Sequence, residues 1–228
     1  MRIVSWNCCN TLTKDKVSVI TEKKPDVLVI QECNRRWEDY LKPNDGRWYG
    51  NVSYSQNQGV GVFLFNDCKF TCFPECFPGY RGEYKYVLPF TINSQNTSIN
   101  IFAVWAKTRD CDNDTPFSYE EQVIEAIKYY HIEKQSIVIG DYNTFAHDAN
   151  TKYPPLVNCA RDTEAGKNTF YSQKGGFGID DFCFATSDIA NNIDVKICQN
   201  SEEEWDGDGQ KRWRGLSDHC PIIVDFDL

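Results

Sequence analysis

Short apolar runs recur along this chain, and several of them end on a carboxylate or a carboxamide. In QSIVIGDYNT, residues 135–144, Ile137-Val138-Ile139 follow Ser136 and then stop at Gly140, Asp141, Tyr142 and Asn143. An apolar run this short, bounded by turn formers, reads as a buried strand. Such a strand is a rigid mount, and this one delivers Asp141 and Asn143 at its tip. The same grammar appears in VSWN, ending on Asn7, and in DVLVIQE, ending on Glu32. GIDDF places Asp180 and Asp181 at a strand start, and LSDHCPIIVDF places Asp218 and His219 just before the last strand. Taken singly, each of these polar residues is what a turn or a helix cap looks like. Their repetition asks for a fold that gathers strand ends at one rim.

The remaining pattern supplies such a fold. RIVSWN and GVGVFLF read as strands, YKYVLPFTI and SINIFAVWA as a pair joined by a turn around Asn96, and IDVKIC as a further strand. KDKVSVITEKKP has apolar positions at Val17 and Ile20, which predicts a short helix ended by Pro25. SYEEQVIEAIKYYHI predicts the best helix, with a capping box from Ser118 and Glu121 and an apolar stripe at Val123, Ile127 and Tyr130. Strands in runs of neighbours with two helical segments among them predict mixed sheets with helices outside, not an alternating parallel barrel. DVLVIQE and QSIVIGD echo each other. In facing or adjacent sheets, Glu32 and Asp141 would emerge at the same edge, beyond strand carboxyl ends where ligands commonly sit. No Pro/Gly/Ser linker divides the 228 residues, so a single domain over 1–228 is expected.

Charge and composition narrow the function classes. With a formal net charge of −9, the chain does not coat nucleic acid through a broad basic field. A phosphate gripped locally through a divalent cation remains open, because the cation reverses the local sign. The 41% hydrophobic content is enough for a sizeable core. Eleven cysteines, an odd number, sit mostly in apolar runs such as those of Cys33, Cys183, Cys198 and Cys220, which suits buried free thiols. Cys68, Cys72 and Cys76 recur at every fourth position and match no standard zinc spacing. MRIVSWN resembles a strand rather than a cationic leader. A cytoplasmic chain without a membrane segment is therefore expected.

The residue types at the strand ends point to one chemistry. Hard oxygen ligands such as Glu32 and Asp218 suit Mg²⁺. His219 suits electrostatic or acid–base work beside a developing negative charge. Asp180 would orient that imidazole and raise its pKa. Asp141 would accept a proton from an attacking water, and Asn143 would hold that water or donate to a phosphoryl oxygen. Together these parts describe a metal-assisted hydrolase of phosphate esters. His131, on the amphipathic helix, and His147, in a polar loop, carry no such reading.

The ordered set IVSWN (3–7), PDVLVIQE (25–32), GVGVFLF (59–65), IVIGDYN (137–143), GIDDFCF (178–184) and SDHCPIIVDF (217–226) spans nearly the whole chain. In it the sequence resembles the endonuclease/exonuclease/phosphatase superfamily. The resemblance implies an α+β fold: a two-layer β-sandwich flanked by α-helices, the deoxyribonuclease I-like α/β/β/α arrangement, with the active site at one end. It implies Glu32 as the principal ligand of Mg²⁺, or of Mn²⁺, with Asn7 and Asp218 beside it. It implies Asp141 and Asn143 at the nucleophilic water, and His219, paired with Asp180, on the scissile phosphate. Three positions depart from the family pattern. Cys9 replaces an acid often found two residues after the first Asn. Trp105 stands where His or Tyr is common. Asp181 stands where Tyr is common, and reads as a surface residue on the alternate strand face.

Trp105, Arg109 and Arg214 are the expected substrate contacts, Trp105 by stacking. KRWRGLSDH sets Lys211, Arg212 and Arg214 beside Asp218 and His219, which favours a nucleic-acid substrate, DNA first. The acidic run from Glu202 to Asp208 argues the other way, toward a phosphatase or phosphodiesterase acting on a nucleotide, sugar or lipid headgroup. A binding module that has lost its chemistry comes last, because Glu32, Asp141, Asn143, Asp180 and His219 are all present. No obligate protein partner is expected.

Overall fold

A strand that feeds a helix and returns as a parallel strand occurs twice. β1 (Arg2–Asn7) leads through α1 (Lys14–Thr21) to β2 (Val27–Asn34), parallel to β1 with Asn7 opposite Gln31. Two antiparallel additions follow, β3 (Asp45–Gly50) and β4 (Gln58–Leu64), and then the antiparallel pair β5 (Lys69–Cys72) and β6 (Val87–Ser94) of the other sheet. The second unit runs from β7 (Thr97–Trp105) through α2 (Tyr119–Tyr129) to β8 (Ser136–Ala146), parallel to β7 with Trp105 opposite Asp141. The chain closes with β9 (Val157–Asn158), β10 (Phe170–Tyr171), β11 (Phe177–Ala185), β12 (Ile193–Ile197), β13 (Glu203–Trp205), β14 (Lys211–Trp213) and β15 (Ile222–Phe226). The computed structural model describes residues 1–10, 12–50, 58–80, 86–95, 97–106, 119–146, 153, 155–160, 167–171, 177–198, 203–205 and 211–227.

The first sheet has the order β12-β15-β1-β2-β4-β3, and the second β10-β11-β8-β7-β6-β5 with β9 against β11. Strand alternation assigns the faces of the second sheet. Ile99, Ile101, Ala103 and Trp105 of β7, Ile137 and Ile139 of β8, and Cys183 and Ala185 of β11 are buried with the residues of the first sheet. Their neighbours Phe102, Val104, Val138, Phe182 and Phe184 pack instead against Val123, Ala126, Ile127 and Tyr130 of and just beyond α2. Val17 and Ile20 of α1 are buried with the first sheet. The expected sandwich with helices outside is what the chain forms.

Both predicted helices form. Thr13 caps α1, its hydroxyl accepting from Lys16 N at 3.3 Å. The capping role expected of Ser118 lies outside the described residues. Sequence periodicity alone did not single out β3, β5 and the short pairs β9, β10, β13 and β14. These are brief or half-exposed strands whose partners, not their own pattern, define them. No helix among the described residues is long and apolar enough to cross a membrane. Among the described residues no disulfide forms, and Cys68 lies buried in the core apart from the exposed Cys76.

One glycine is obligatory. Gly140 has φ +145°, and a Cβ there would sit 2.1 Å from the Val104 carbonyl oxygen. Only glycine lets β8 approach β7 this closely just before Asp141.

Candidate active site

Both parallel units point their carboxyl ends to the same rim, and Asn7 is the residue that joins them. It is only 1% exposed. Its Nδ2 donates to Asp141 Oδ2 at 2.8 Å and to Glu32 Oε1 at 3.2 Å. Its Oδ1 accepts from Cys9 N at 3.0 Å, and its backbone oxygen accepts from Ser217 Oγ at 2.7 Å. The Ser217 hydroxyl oxygen accepts in turn from His219 N at 3.1 Å. One residue thus gathers an acid from each sheet through its carboxamide and, through its backbone oxygen, the turn that carries Asp218 and His219.

Glu32 stands at an interruption. The β2–β4 register shifts between Ile30 and Cys33, and Glu32 has φ +55°. A non-glycine residue in the left-handed region costs on the order of 1–2 kcal/mol. The bulge turns the half-exposed carboxylate out of the sheet, where Asn10 N donates to Oε2 at 2.7 Å. The loop that presents Asn10 has two consecutive left-handed residues, Cys9 and Asn10. Buried Lys16 braces it from below, its ammonium donating to the carbonyls of Cys8 and, at 2.9 Å, of Cys9. Cys9 therefore contributes a backbone oxygen to the loop's bracing where an acid was expected from the family pattern.

Asp141 is fully buried and heavily solvated by the protein. Asn143 N donates to its Oδ1 at 2.9 Å, and Asn143 Nδ2 joins Asn7 on its Oδ2 at 3.0 Å. Asn143 Nδ2 also donates to Ala106 O at 2.7 Å. Its amide nitrogen is thus committed to Asp141 and to the Ala106 carbonyl together.

Opposite Asp141 in the β8–β11 ladder lies Asp181, and Asp181 Oδ2 meets His219 Nδ1 at 2.8 Å. The expected pairing of His219 with Asp180 is thus corrected by one residue, and so is the reading of Asp181 as a surface side chain. Asp181 is 3% exposed and His219 4%. The reason is parity: Cys183 and Ala185 face the sandwich interior, and Asp181 continues that face. Asp180 is also buried, and its backbone N–H is bonded to Thr169 Oγ1 at 3.0 Å.

A ring nitrogen of His219 and one oxygen each of Asp141 and Asp181 lie within 4.8 Å of one another. Burial alone would lower the imidazole pKa. The carboxylates of Asp181 and Asp141 outweigh it and hold the ring well above the ordinary histidine value. Burial pushes the Asp141 carboxyl well above its usual range, against the pull of His219. The site therefore contains a cationic imidazole beside an unusually basic carboxylate.

Thr169, which sequence reasoning passed over, ties the dyad together. Its Oγ1 accepts from the backbone N–H groups of both Asp180 and Asp181, at 3.0 and 2.9 Å. Its carbonyl accepts from Cys220 N at 2.7 Å, and its own N–H donates to Gly178 O at 2.9 Å. It holds the strand of Asp181 and the segment of His219 at once. Next to it, Phe170 sets its ring 4.8 Å from the imidazole. Thr169→Val keeps the shape and orphans two buried amides, each costing about 1–3 kcal/mol. Expected are a lower unfolding midpoint in urea and loss of a sharp His219 Nδ1–H resonance in NMR, both recovered in Thr169→Ser.

The other expected contacts fall as follows. Asp218 is half-buried next to His219, its carbonyl accepting from Tyr171 N at 2.8 Å. Trp105, expected as a stacking surface, is only 5% exposed and belongs to the inter-sheet core, so it presents no open face to a base. Arg214 donates to Glu22 at 3.0 Å and lies over the Trp213 ring. Arg109 lies outside the described residues.

No protein-family model and no curated protein matches this sequence. Solved structures match along its full length. The APE2 catalytic domain of Xenopus laevis superposes with a TM-score of 0.68 at 14% identity, over 99% of this chain and 91% of that one. This chain shares its fold. An AP endonuclease from Leishmania major gives a TM-score of 0.67 at 15% identity, covering 98% of this chain and 86% of that chain. A family protein from Leptotrichia buccalis gives 0.60 at 16% identity, with 100% of each chain covered. At these identities the likeness to superfamily structures establishes architecture, and the chemistry rests on the side chains above.

Proposed function

We propose that this chain is a divalent-metal-dependent phosphoesterase that hydrolyses a phosphodiester, with DNA the favoured substrate. The observation that carries this reading is the Asn7 carboxamide bonded at once to Glu32 and Asp141, with the His219–Asp181 pair beside it. The structural likeness to an AP endonuclease supports the same reaction class. The −9 charge favours a second reading, in which the substrate is a small phosphoester.

Two groups of residues compete for the metal, and their exposure separates them. Asp141, Asp181 and His219 are buried, and the histidine is committed to Asp181. Glu32 is half-exposed and strained outward, and Asp218 is half-buried beside the same rim. Hard oxygen donors open to solvent suit Mg²⁺ or Mn²⁺, which keep several waters. Glu32 and Asp218, with the Asn7 oxygen behind them, would hold the ion. Bound there, it would supply positive charge to the phosphate and the departing oxygen.

The remaining residues divide the work of an in-line attack by water. Asp141, made basic by burial, takes the proton of the water, and Asn143 fixes that carboxylate and orients the water through Oδ1. His219, cationic and held in one orientation by Asp181, donates from its other ring nitrogen to a non-bridging phosphoryl oxygen as charge builds there.

The test is hydrolysis of plasmid DNA, single-stranded DNA, RNA and a panel of small phosphomonoesters, with Mg²⁺ or Mn²⁺ and with EDTA. Cleavage that EDTA abolishes is expected. Glu32→Gln should raise the metal concentration for half-activity on the order of tenfold or more. Metal-independent cleavage, or no hydrolysis of any substrate by a protein that binds the metal, overturns the proposal.

A further inference from the structure

We infer that Lys16 is a positioning residue for the candidate metal ligands Asn7 and Glu32, acting through the two peptide units that lie between it and them; this rests on the metal-dependent reading and names what holds its ligand set. Lys16 is only 8% exposed and sits in the first turn of α1. That place is unfavourable for a lysine. Burial strips an ammonium of its hydration, and the amino end of a helix repels a cation. The long side chain also loses rotamer freedom when it is buried. What the ammonium gains is its bonding to the carbonyls of Cys8 and, at 2.9 Å, of Cys9.

The same two peptide units reach the rim with their other ends. Between Cys8 and Cys9, the carbonyl accepts from Lys16 and the N–H donates to Asn7 Oδ1 at 3.0 Å. Between Cys9 and Asn10, the carbonyl accepts from Lys16 and the N–H donates to Glu32 Oε2 at 2.7 Å. Each peptide is held between the ammonium and one candidate ligand, and hydrogen bonds chained in this way polarise one another. Successive N–H groups turned to one side suit a negatively charged neighbour. The bond to Oδ1 also fixes which end of the Asn7 carboxamide faces the acids, leaving Nδ2 to Glu32 and Asp141.

The loop itself resists this arrangement. Cys9 and Asn10 have φ of +51° and +72°, a conformation that residues with side chains adopt at a cost and keep only where the surroundings hold them. Turning over the second peptide would set the Cys9 carbonyl oxygen against the Glu32 carboxylate. Lys16 opposes that flip by drawing both carbonyls away from the rim. The loop is also tied at its ends, by Cys8 N donating to Gln31 O at 3.1 Å and Gln58 Nε2 donating to Asn10 Oδ1 at 2.6 Å. Neither bond involves the two peptides between, so their orientation falls to the ammonium.

The experiment compares Lys16→Met with Thr13→Ala. Methionine keeps an unbranched side chain without the ammonium, whereas loss of the Thr13 cap weakens α1 and leaves Lys16 in place. Hydrogen exchange of the Asn10 amide is followed by NMR in EDTA, and Mn²⁺ affinity by electron paramagnetic resonance. For Lys16→Met we expect exchange at least about tenfold faster and Mn²⁺ binding weaker by about 10–100-fold. Thr13→Ala should match the unaltered protein in both. Equal effects in the two variants, effects in neither, or faster exchange with unchanged Mn²⁺ affinity overturn the assignment. Should Lys16→Met not fold, ¹⁵N-labelled unaltered protein is titrated with Mg²⁺. The Lys16 ammonium and the Cys9 and Asn10 amides should then shift with one midpoint, and an ammonium resonance that stays still while the amides move overturns the assignment. If the unaltered protein binds no Mn²⁺, the metal reading falls; faster exchange in Lys16→Met alone then still assigns Lys16 to Glu32, and equal exchange removes it.

Discussion

His219→Ala should reduce phosphodiester hydrolysis by on the order of 10²–10³ or more, with the loss in kcat rather than in KM. The imidazole is the cationic group set within 4.8 Å of the Asp141 and Asp181 oxygens. A donor aimed at charge that appears in the transition state is worth most in a dry site, and His219 is only 4% exposed. The substitution also alters stability in a pH-dependent way. Asp141 and Asp181 are directly opposed in the β8–β11 ladder, and His219 is the cation that separates them electrostatically. Without it, two buried carboxylates face each other and one retains a proton in the folded state. A folded-state carboxyl pKa above its unfolded value gives stability that is present at low pH and lost as pH rises. The variant should therefore lose urea stability relative to the unaltered protein more at pH 8 than at pH 5. A His219→Ala protein that cleaves at the original rate would remove the imidazole from the mechanism.

Much of this geometry was legible from strand ends. SIVIGDYN and DVLVIQE each announce a buried strand by an uninterrupted apolar run and an acid at its close, and the fold places Asp141 and Glu32 at one rim through a shared hydrogen-bond donor, Asn7. What the pattern did not carry is the face on which each residue of a fully buried strand lies. β11 is apolar on both sides, with Phe182 and Phe184 packed on α2 and Cys183 and Ala185 on the other sheet. Hydrophobicity therefore could not tell Asp180 from Asp181; that distinction needs the register against β8. Trp105 failed for a related reason. It ends β7 as Asn7 ends β1, but an aromatic side chain at an inward-facing position is taken up by the core. Thr169 left no signal at all, because a hydroxyl that accepts two backbone amides is visible only once the strand it serves is in place. The offset acids of GIDDF, read by parity counted from Cys183 and Ala185, were the one available clue that the second of the pair faces inward.

That parity makes the sharpest prediction available for this chain. Asp181→Asn should lower kcat by on the order of 10²–10⁴, the range seen when a buried carboxylate that fixes a histidine tautomer is neutralised. Asn at this position offers His219 Nδ1 an amide in place of a carboxylate, so the ring loses its main source of raised basicity. Its NMR titration should move down toward the ordinary histidine range. Asp180→Asn should leave that titration in place and change kcat by less than about tenfold. Both carboxylates are buried, so each substitution is expected to cost folding stability, and stability alone does not distinguish them. The His219 titration does, because of these two acids Asp181 is the one in contact with Nδ1 and the larger cause of the raised pKa. If Asp180→Asn shifts the imidazole and Asp181→Asn does not, the 2.8 Å contact is not the one that operates in solution, and the chain uses the first acid of the pair after all.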